Sequence, residues 1–390
     1  QRRYSMNWIY LDNSATTRPC AEAVDKITEL LTVCWGNPSS LHGLGFAAEQ
    51  ELSAARRAVA RSLSCTPEEI FFTSGGTEAN NIAILGYLRR NRRKGNHVMV
   101  SAVEHASVLN IFRRLEEEGY RVSYIPVSRE GSLDYAFVER ELCEETALVS
   151  VMQVNNEVGS RFDIPRIRRI LEEKKSGAVL HSDCVQAYGK VTFSVKELGA
   201  DLVTVSAHKV HGPKGVGALY VREGLLMEPV LFGGGQENGL RNGTENLPGI
   251  AGFAKAAELT MRDLPEKIER MREIQRYFIE ELRKIKRVEI NTPPDNCAPH
   301  IVNASFLGIR SEILLHTLEQ KEVYVSSGSA CASNDKKHKK VLEVMGHDRE
   351  RADSSVRFSF STETTMQEIR EAAIIIREAV EDLQRKLRIR

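Results

Sequence analysis

Short apolar runs alternate with longer amphipathic segments between about residue 70 and residue 221. The runs have the length and the β-branched content of buried strands. They are Ile70–Thr73, His97–Ser101, Arg121–Val127, Ala147–Val154, Ala178–Ser182, Asp201–Ser206 and Gly217–Val221. Several of the intervening segments carry apolar residues at helical spacing, as in Glu78–Arg90, Ala106–Glu118 and Ile164–Lys175. Because strands alternate with helices, we predict a mostly parallel α/β sheet.

Two long amphipathic patterns occupy the last third of the chain. One apolar stripe runs from Leu264 to Ile285 and the other from Ile369 to Leu387, and both have charged outer faces. We predict that these two helices cover a second, smaller sheet. Its expected strands are Ala304–Phe306, Val323–Val325 and Val356–Phe360.

Charge and composition argue against several classes of protein. The 390 residues include 54 Lys and Arg against 53 Asp and Glu, so a net charge of +1 gives no general attraction to nucleic acid. No apolar run approaches the roughly 20 residues of a membrane-spanning helix. The seven cysteines are scattered without a Cys-x-x-Cys pair, which argues against a disulfide framework or a zinc site. We expect a cytoplasmic protein that binds neither nucleic acid nor a membrane directly.

A glycine-containing turn follows the first predicted strand of the alternating region. In Ser74-Gly75-Gly76-Thr77, backbone N–H groups and the positive end of a helix dipole can bind a phosphate. The alternative is a plain strand-to-helix turn with Thr77 as the cap. The spacing matches neither a Walker A loop nor the dinucleotide motif, so the turn does not indicate a nucleotide site.

Polar residues also follow two later strands. Asp183 and Gln186 come after one strand, and His208 and Lys209 come after the next. Each has an ordinary alternative as a helix cap, a packed residue or a solvated amine. In a parallel sheet, however, the carboxyl ends of strands form the ligand crevice. A phosphate site, an acid and a lysine together satisfy the needs of pyridoxal 5'-phosphate (PLP), which requires an anion site, a partner for its ring nitrogen and an amine.

Eight short motifs occur in the order found in cysteine desulfurases, and the chain resembles that PLP-dependent family from about Ile9 to its C-terminus. The resemblance is closest to the branch that supplies sulfur for iron–sulfur clusters. The motifs are Tyr10-Leu11-Asp12-Asn13-Ser14-Ala15-Thr16-Thr17, Gly36-Asn37-Pro38-Ser39-Ser40, Thr73-Ser74-Gly75-Gly76-Thr77-Glu78, Val103-Glu104-His105, Asn155-Asn156-Glu157-Val158-Gly159, Ser206-Ala207-His208-Lys209, Arg241-Asn242-Gly243-Thr244 and Ser326-Ser327-Gly328-Ser329-Ala330-Cys331.

The resemblance assigns roles around the cofactor ring. It implies that Lys209 binds PLP through an imine and that Asp183 pairs with the ring nitrogen. Gln186 and Asn156 would hydrogen-bond the ring hydroxyl oxygen, and His105 would stack on the ring and transfer protons. The alternative for His105 is a histidine that simply begins a helix.

The resemblance also assigns the phosphate site and an oligomeric state. Thr244 would reach the phosphate of the neighbouring subunit's cofactor, which implies a homodimer with shared sites. The residues that would hold the phosphate within one subunit are Gly76, Thr77, Ser206 and His208.

A strand arginine is the candidate substrate group. In Val356–Phe360, alternation sends the two aromatic residues to one face and Arg357 with Ser359 to the other. A guanidinium there can bind an α-carboxylate through two hydrogen bonds, with Asn156 as a second substrate contact, although an ordinary ion pair is the alternative.

Cys331 is the candidate nucleophile. It lies in a run of small residues, Ser326–Asp335, which we expect to be mobile and exposed, so that the thiolate can attack a substrate sulfur and deliver it elsewhere. The basic run Lys336–Lys340 either lowers the thiol pKa and attracts an acidic partner or is a solvated turn. We expect no resident metal, although Cys331 could transiently ligate an iron–sulfur cluster.

The resemblance therefore implies PLP-dependent fold type I, the aspartate-aminotransferase-like α/β architecture. We expect a large PLP-binding domain over residues 14–258 and a small α+β domain over residues 1–13 and 259–390 that carries the cysteine loop. The expected reaction converts L-cysteine to L-alanine and leaves a persulfide on Cys331, which passes to an iron–sulfur scaffold or a sulfur carrier, for cluster assembly or tRNA thiolation. Alternatives are a selenocysteine lyase, another aminotransferase-like enzyme and a non-catalytic sulfur-relay subunit.

Overall fold

A computed structural model describes residues 8–327 and 340–389 of the chain. The strands are β1 (Ile9–Tyr10), β2 (Ile70–Thr73), β3 (His97–Ser101), β4 (Arg121–Ile125), β5 (Thr146–Ser150), β6 (Val179–Asp183), β7 (Leu202–Ser206), β8 (Gly217–Val221), β9 (Val288–Ile290), β10 (Ile301–Phe306), β11 (Val323–Tyr324), β12 (Ser326–Ser327) and β13 (Ser355–Ser359). The helices are α1 (Ala21–Thr32), α2 (Gly43–Leu63), α3 (Gly76–Asn81), α4 (Tyr87–Arg90), α5 (Ala106–Glu117), α6 (Tyr135–Glu141), α7 (Ile164–Glu173), α8 (Val195–Leu198), α9 (Leu247–Met261), α10 (Leu264–Arg283), α11 (Ser311–Glu319), α12 (Val341–Val344), α13 (Arg349–Asp353) and α14 (Met366–Lys386).

The apolar runs of the alternating region form one large sheet, and its predicted architecture is confirmed. In the described residues its strand order is β2-β8-β7-β6-β5-β3-β4. The pairs from β7 through β4 are parallel, whereas β8 is antiparallel to both of its neighbours. The carboxyl ends of β3, β5, β6 and β7 therefore lie along one edge of the sheet.

Both faces of the large sheet are covered, so β3, β5, β6, β7 and β8 are buried at every position. Val98 packs with α3 and α5 on one face, whereas the next residue, Met99, packs with α2, α7 and α9 on the other. The same alternation separates Leu148 from Val149. The sheet thus forms the middle layer of an α/β/α sandwich.

The single helix predicted over Glu78–Arg90 is interrupted. A π-helical turn at Ile82–Gly86 joins α3 to α4. Ile82 and Ile84 are both buried, and a π turn allows consecutive apolar residues to face the core that a regular helix would rotate away.

The second sheet has the order β12-β13-β10-β9, with antiparallel neighbours. The prediction that Val323–Val325 belongs to it is wrong, because β11 pairs in parallel with β1 in a separate ribbon. Ile9 and Leu11 enter the same apolar core as Val323. That long-range pairing leaves no local trace in the sequence.

The two predicted long helices, α10 and α14, cover this second core. Phe278 of α10 contacts Phe358 and Phe360 edge to face, at centroid distances of 5.0 and 5.8 Å. The division of the chain into domains at residue 258 stays a prediction. No helix within residues 8–327 and 340–389 combines the length and the apolarity needed to cross a membrane.

Candidate active site

The carboxyl-end edge of the large sheet collects most of the predicted site residues. Asp183 is the last residue of β6, and Ser206 is the last residue of β7. His105 is the N-cap of α5, just after β3, and Lys209 ends the short helical turn after β7. Three separate strands thus deliver polar groups to one place, as the doubly wound topology requires.

Asp183 anchors a chain of hydrogen bonds across this edge. Its carboxylate is buried and accepts from Asn80 Nδ2 at 2.8 Å and from the backbone N–H of Val185 at 2.9 Å. Asn80 Nδ2 also donates to Ser107 Oγ at 2.9 Å, and Ser107 Oγ lies 2.8 Å from His105 Nδ1. The carboxylate and the imidazole are therefore connected through two intermediate side chains.

The hydrogen bonds of His105 determine its tautomer. The backbone N–H of Ser107 donates to His105 Nδ1 at 3.1 Å, so the neutral ring carries its proton on Nε2. Burial lowers the pKa of His105, Asp183 opposes that shift, and the charges of Lys209 and Arg357 add to it. His105 is thus neutral near pH 7, and all three charged side chains lie close enough to act on it.

Lys209 is held by a segment of the N-terminal region. Its Nζ donates to the carbonyl oxygens of Ser14 at 2.5 Å and Ala15 at 2.7 Å. Gln186 Nε2 donates to the same Ser14 carbonyl at 2.9 Å. Lys209 and Gln186 therefore meet at a backbone carbonyl whose role in the site the sequence does not predict.

The predicted phosphate site contains a buried hydroxyl that has no partner. Ser206 Oγ makes no hydrogen bond with any described residue. Gly75 faces it, and a Cβ built on Gly75 would lie 3.9 Å from that oxygen. Gly75 has a φ of 148°, which L side chains rarely adopt. His208 Nδ1 lies 3.2 Å from Thr16 Oγ1, and Gly76 begins α3, whereas Thr77 is exposed.

These features fit PLP as the group bound here. Asp183 offers a buried carboxylate for a ring nitrogen, and Lys209 offers an amine at the neighbouring strand end. The unpartnered Ser206 hydroxyl beside Gly75 has the chemistry of a phosphate contact.

Arg357 reaches the site from the second sheet. It is 7% exposed, and its Nη1 donates to the Asn156 carbonyl at 2.8 Å while its Nη2 donates to Asp12 Oδ1 at 2.8 Å. Its Nε is buried and has no partner among the described residues. The expected alternation holds, because Phe358 and Phe360 face the apolar core.

Of the remaining predicted residues, one lies apart from this cluster and one lies outside the described residues. Thr244 is exposed and has no hydrogen bond to the other predicted residues in the described structure, although Arg241 of the same motif pairs with Glu78 of α3 at 3.3 Å. Cys331 lies outside the described residues.

Three members of the site are not among the residues predicted from the sequence. Asn80 lies one helical turn after Gly76, so its spacing could have placed it on the same face. Asp12 and the Ser14 carbonyl could not be found this way, because only the folded chain brings residue 12 beside residue 357.

The chain matches the class-V aminotransferase family over residues 9–371. It is 39% identical over 377 residues to the cysteine desulfurase IscS of Dictyoglomus turgidum, covering 96% of this chain and 95% of that protein. A solved NifS-like protein superposes with a TM-score of 0.91 at 34% identity, covering 96% of this chain and all of the other. SspA in complex with cysteine superposes with a TM-score of 0.78 at 30% identity, covering 92% of this chain and all of SspA. The chain belongs to the class-V aminotransferase family and, within it, to the cysteine desulfurases, as its motifs predicted.

Proposed function

We propose that this enzyme is a PLP-dependent cysteine desulfurase that converts L-cysteine to L-alanine and leaves the sulfur as a persulfide on Cys331. The observation that supports this most is the meeting of Asp183, His105, Lys209 and Arg357 at one edge of the sheet, where the three charged groups act on the imidazole. An acid, an amine, an imidazole and a guanidinium together meet the needs of chemistry at the α-carbon of an amino acid.

Within this proposal, Lys209 supplies the amine that binds the aldehyde of PLP, and Asp183 pairs with the ring nitrogen. Ser206, His208 and the backbone at Gly76 and Thr77 hold the phosphate, and Gln186 and Asn156 contact the ring hydroxyl. When bound, PLP supplies an electron sink for negative charge that develops on the substrate's α-carbon.

Arg357 has the donors for a substrate carboxylate. Asn156 and Asp12 each engage one terminal nitrogen and orient the guanidinium plane. The unpartnered Nε and the second proton on Nη2 then form the side-on pair of donors that binds a carboxylate through both oxygens.

Proton transfer is assigned to two groups with different surroundings. Lys209 Nζ accepts the proton from the α-carbon, and the Ser14 and Ala15 carbonyls stabilise the resulting ammonium. His105 holds its proton at Nε2 because Nδ1 is engaged by Ser107, so it donates a hydrogen bond or a proton from that atom.

Sulfur transfer balances without an added oxidant. The Cys331 thiolate attacks the substrate sulfur, the carbon–sulfur bond breaks, and a sulfur–sulfur bond forms. The electron pair of the broken bond stays with the former β-carbon, which takes up a proton, so cysteine plus a thiol becomes alanine plus a persulfide. The persulfide sulfur then passes to a scaffold or carrier protein.

A homodimer with shared sites belongs to the same proposal. Large apolar side chains are exposed around the α1–α2 connection and beyond β8, among them Leu31, Trp35, Phe46 and Phe232, with Trp35 at 65% and Phe232 at 82% exposure. Several large exposed apolar side chains of this kind are typical of a protein with an interface to a partner. Thr244 is exposed and therefore available to a partner subunit.

The test begins with the purified protein and PLP. We expect a visible absorbance band, release of alanine on addition of L-cysteine, and sulfide in the presence of a reductant. Cys331→Ala should abolish alanine release and keep the band, whereas Cys143→Ala, which changes a partly buried thiol outside the site, should release alanine normally. Full turnover by Cys331→Ala would overturn the persulfide step.

A further inference from the structure

A buried carboxyl group lies directly behind His105 and has no place in the reaction described above. Glu104 is 4% exposed and immediately precedes the imidazole residue. Its Oε1 accepts from Ser101 Oγ and from the backbone N–H of Met152, each at 2.6 Å. The bond to Met152 crosses from the segment after β3 to the segment after β5.

A second bond joins the same two segments. Asn155 Nδ2 donates to the Val103 carbonyl at 2.9 Å, and Asn155 Oδ1 accepts from the backbone N–H groups of Glu157 and Val158, each at 2.9 Å. Glu104 and Asn155 therefore clamp the His105 segment onto the segment that carries Asn156. Because the Asn156 carbonyl orients Arg357, the clamp also connects His105 to the arginine.

The second carboxyl oxygen of Glu104, Oε2, indicates whether the group is protonated. Oε2 is buried and has no partner among the described residues, and Gln153 Oε1, on the opposite clamped segment, is also buried and unpartnered. A buried carboxylate with one bare oxygen is costly, whereas a neutral acid carries a proton there that can be donated.

The charges around Glu104 also favour the protonated, neutral form of its carboxyl group. Asp183 faces it from the end of β6, and Cys184 is the next titratable group there. His105 on its own segment is neutral near pH 7. Burial raises the pKa of Glu104 to about 8 and outweighs the hydrogen bonds from Ser101 and Met152, which lower it, and the negative charge of Asp183 adds to the upward shift.

We propose that Glu104 is a positioning residue that acts as a neutral acid, holding the His105 segment against the Asn156 segment, and that ionisation of Glu104 at alkaline pH releases this clamp. The inference rests on the proposed function for the role of His105. The ionised form would place a second carboxylate near Asp183 and leave Oε2 without solvation or a donor.

The first test compares pH profiles of alanine release in Glu104→Gln and the wild type. Gln is the permanently neutral analogue of the acid: its amide accepts where Oε1 accepts and donates where the acid proton lies. Turnover at about pH 9.5 relative to about pH 7 should be roughly tenfold higher in Glu104→Gln than in the wild type, because a group with a pKa of about 8 is mostly ionised at the higher pH. Glu144→Gln, the same change at an exposed position, should keep the wild-type profile.

The second test needs no turnover and uses thermal unfolding of the cofactor-free chain. The melting temperature of Glu104→Gln should rise relative to the wild type as pH increases from about 5 to about 8, and Glu104→Ala should be destabilised throughout. Two results would overturn the inference. One is that the melting temperatures of Glu104→Gln and the wild type change with pH in parallel, and the other is that alanine release by Glu104→Gln falls at alkaline pH as it does in the wild type. A wild type that releases no alanine at any pH would instead overturn the proposed function, and the melting comparison would still decide the state of Glu104.

Discussion

The buried polar groups of the large sheet are paired with protein groups at the edge formed by the amino ends of its strands, whereas several of the described ones lack partners at the edge formed by the carboxyl ends. At the amino-end edge, Asp201 accepts from Arg168 at 2.5 Å and from Arg222 at 2.6 Å. His97 lies 2.8 Å from Thr146 Oγ1 and 3.0 Å from Ser123 Oγ. At the carboxyl-end edge, buried atoms of the described residues lack partners, among them Ser206 Oγ, Arg357 Nε and Ser14 Oγ.

This difference separates stability from function within one sheet. Buried polar groups are normally paired, so an edge closed by its own residues contributes to folding. Buried polar groups without a protein partner are available to bind a ligand, and they lower the stability of the protein when no ligand is bound. Substitutions at the amino-end edge should therefore lower stability and leave turnover intact. Substitutions of the ligand-facing groups at the carboxyl-end edge should lower turnover and leave the stability of the cofactor-free protein intact.

The largest expected effect is at Asp183. Asp183→Asn keeps the shape of the side chain and removes the charge that we propose pairs with the ring nitrogen, so we expect turnover of cysteine to fall by about 10³-fold. The melting temperature of the cofactor-free protein should stay near that of the wild type. Alanine release and thermal unfolding measure the two quantities, and turnover within about tenfold of the wild type would contradict the assignment.

The matched change at the opposite edge is Asp201→Asn. It leaves Arg168 and Arg222 without their carboxylate, and we expect the free energy of unfolding to fall by about 3 kcal/mol. Turnover per folded molecule should be unchanged. Denaturant unfolding measures the loss, with Asp295→Asn as an exposed control, and a clear loss of turnover in folded protein would break the comparison between the edges.

Lys190, a buried lysine beside the site, makes the stability of the protein depend on pH. It is buried, it donates to the Lys209 carbonyl at 2.6 Å, and burial, with a smaller contribution from Lys209, lowers its pKa to about 7. Between about pH 7 and pH 10 the unfolded chain binds this proton and the folded chain does not, so wild-type stability gains with rising pH.

Lys190→Met removes that dependence. We expect it to be more stable than the wild type near pH 7, with the difference shrinking by on the order of 2 kcal/mol by about pH 9. Denaturant unfolding of the cofactor-free proteins across this range measures the difference. A constant offset would mean that Lys190 does not change its charge in the folded protein.

The smallest expected effect is at Ser206. Its hydroxyl has no partner in the described structure, so Ser206→Ala should leave the stability of the cofactor-free protein unchanged. PLP affinity should fall about tenfold, the effect of one hydrogen bond to a charged group. A PLP titration measures it. The control, Ser182→Ala, removes a hydroxyl that donates to the Val151 carbonyl at 2.8 Å and should lower stability alone.

Local patterns predicted much of the architecture and some of the site. The large sheet and the two long helices follow from apolar periodicity, because burying those positions leaves few other arrangements. Asp183 and Lys209 could be proposed as neighbours because parallel strands end at one edge. The β1–β11 pairing and the π turn after α3 could not be predicted, since both depend on contacts made only after the chain folds.

The sequence by itself determined which segments become strands and helices and which of their ends carry reactive side chains, because backbone periodicity and residue chemistry act locally. Only the tertiary structure decided that Asp12 orients Arg357, that the Ser14 and Ala15 carbonyls hold Lys209, and that Glu104 lies buried with one bare oxygen. Ionisation and hydrogen bonding depend on which distant groups exclude water from one another, and that exclusion exists only in the packed molecule.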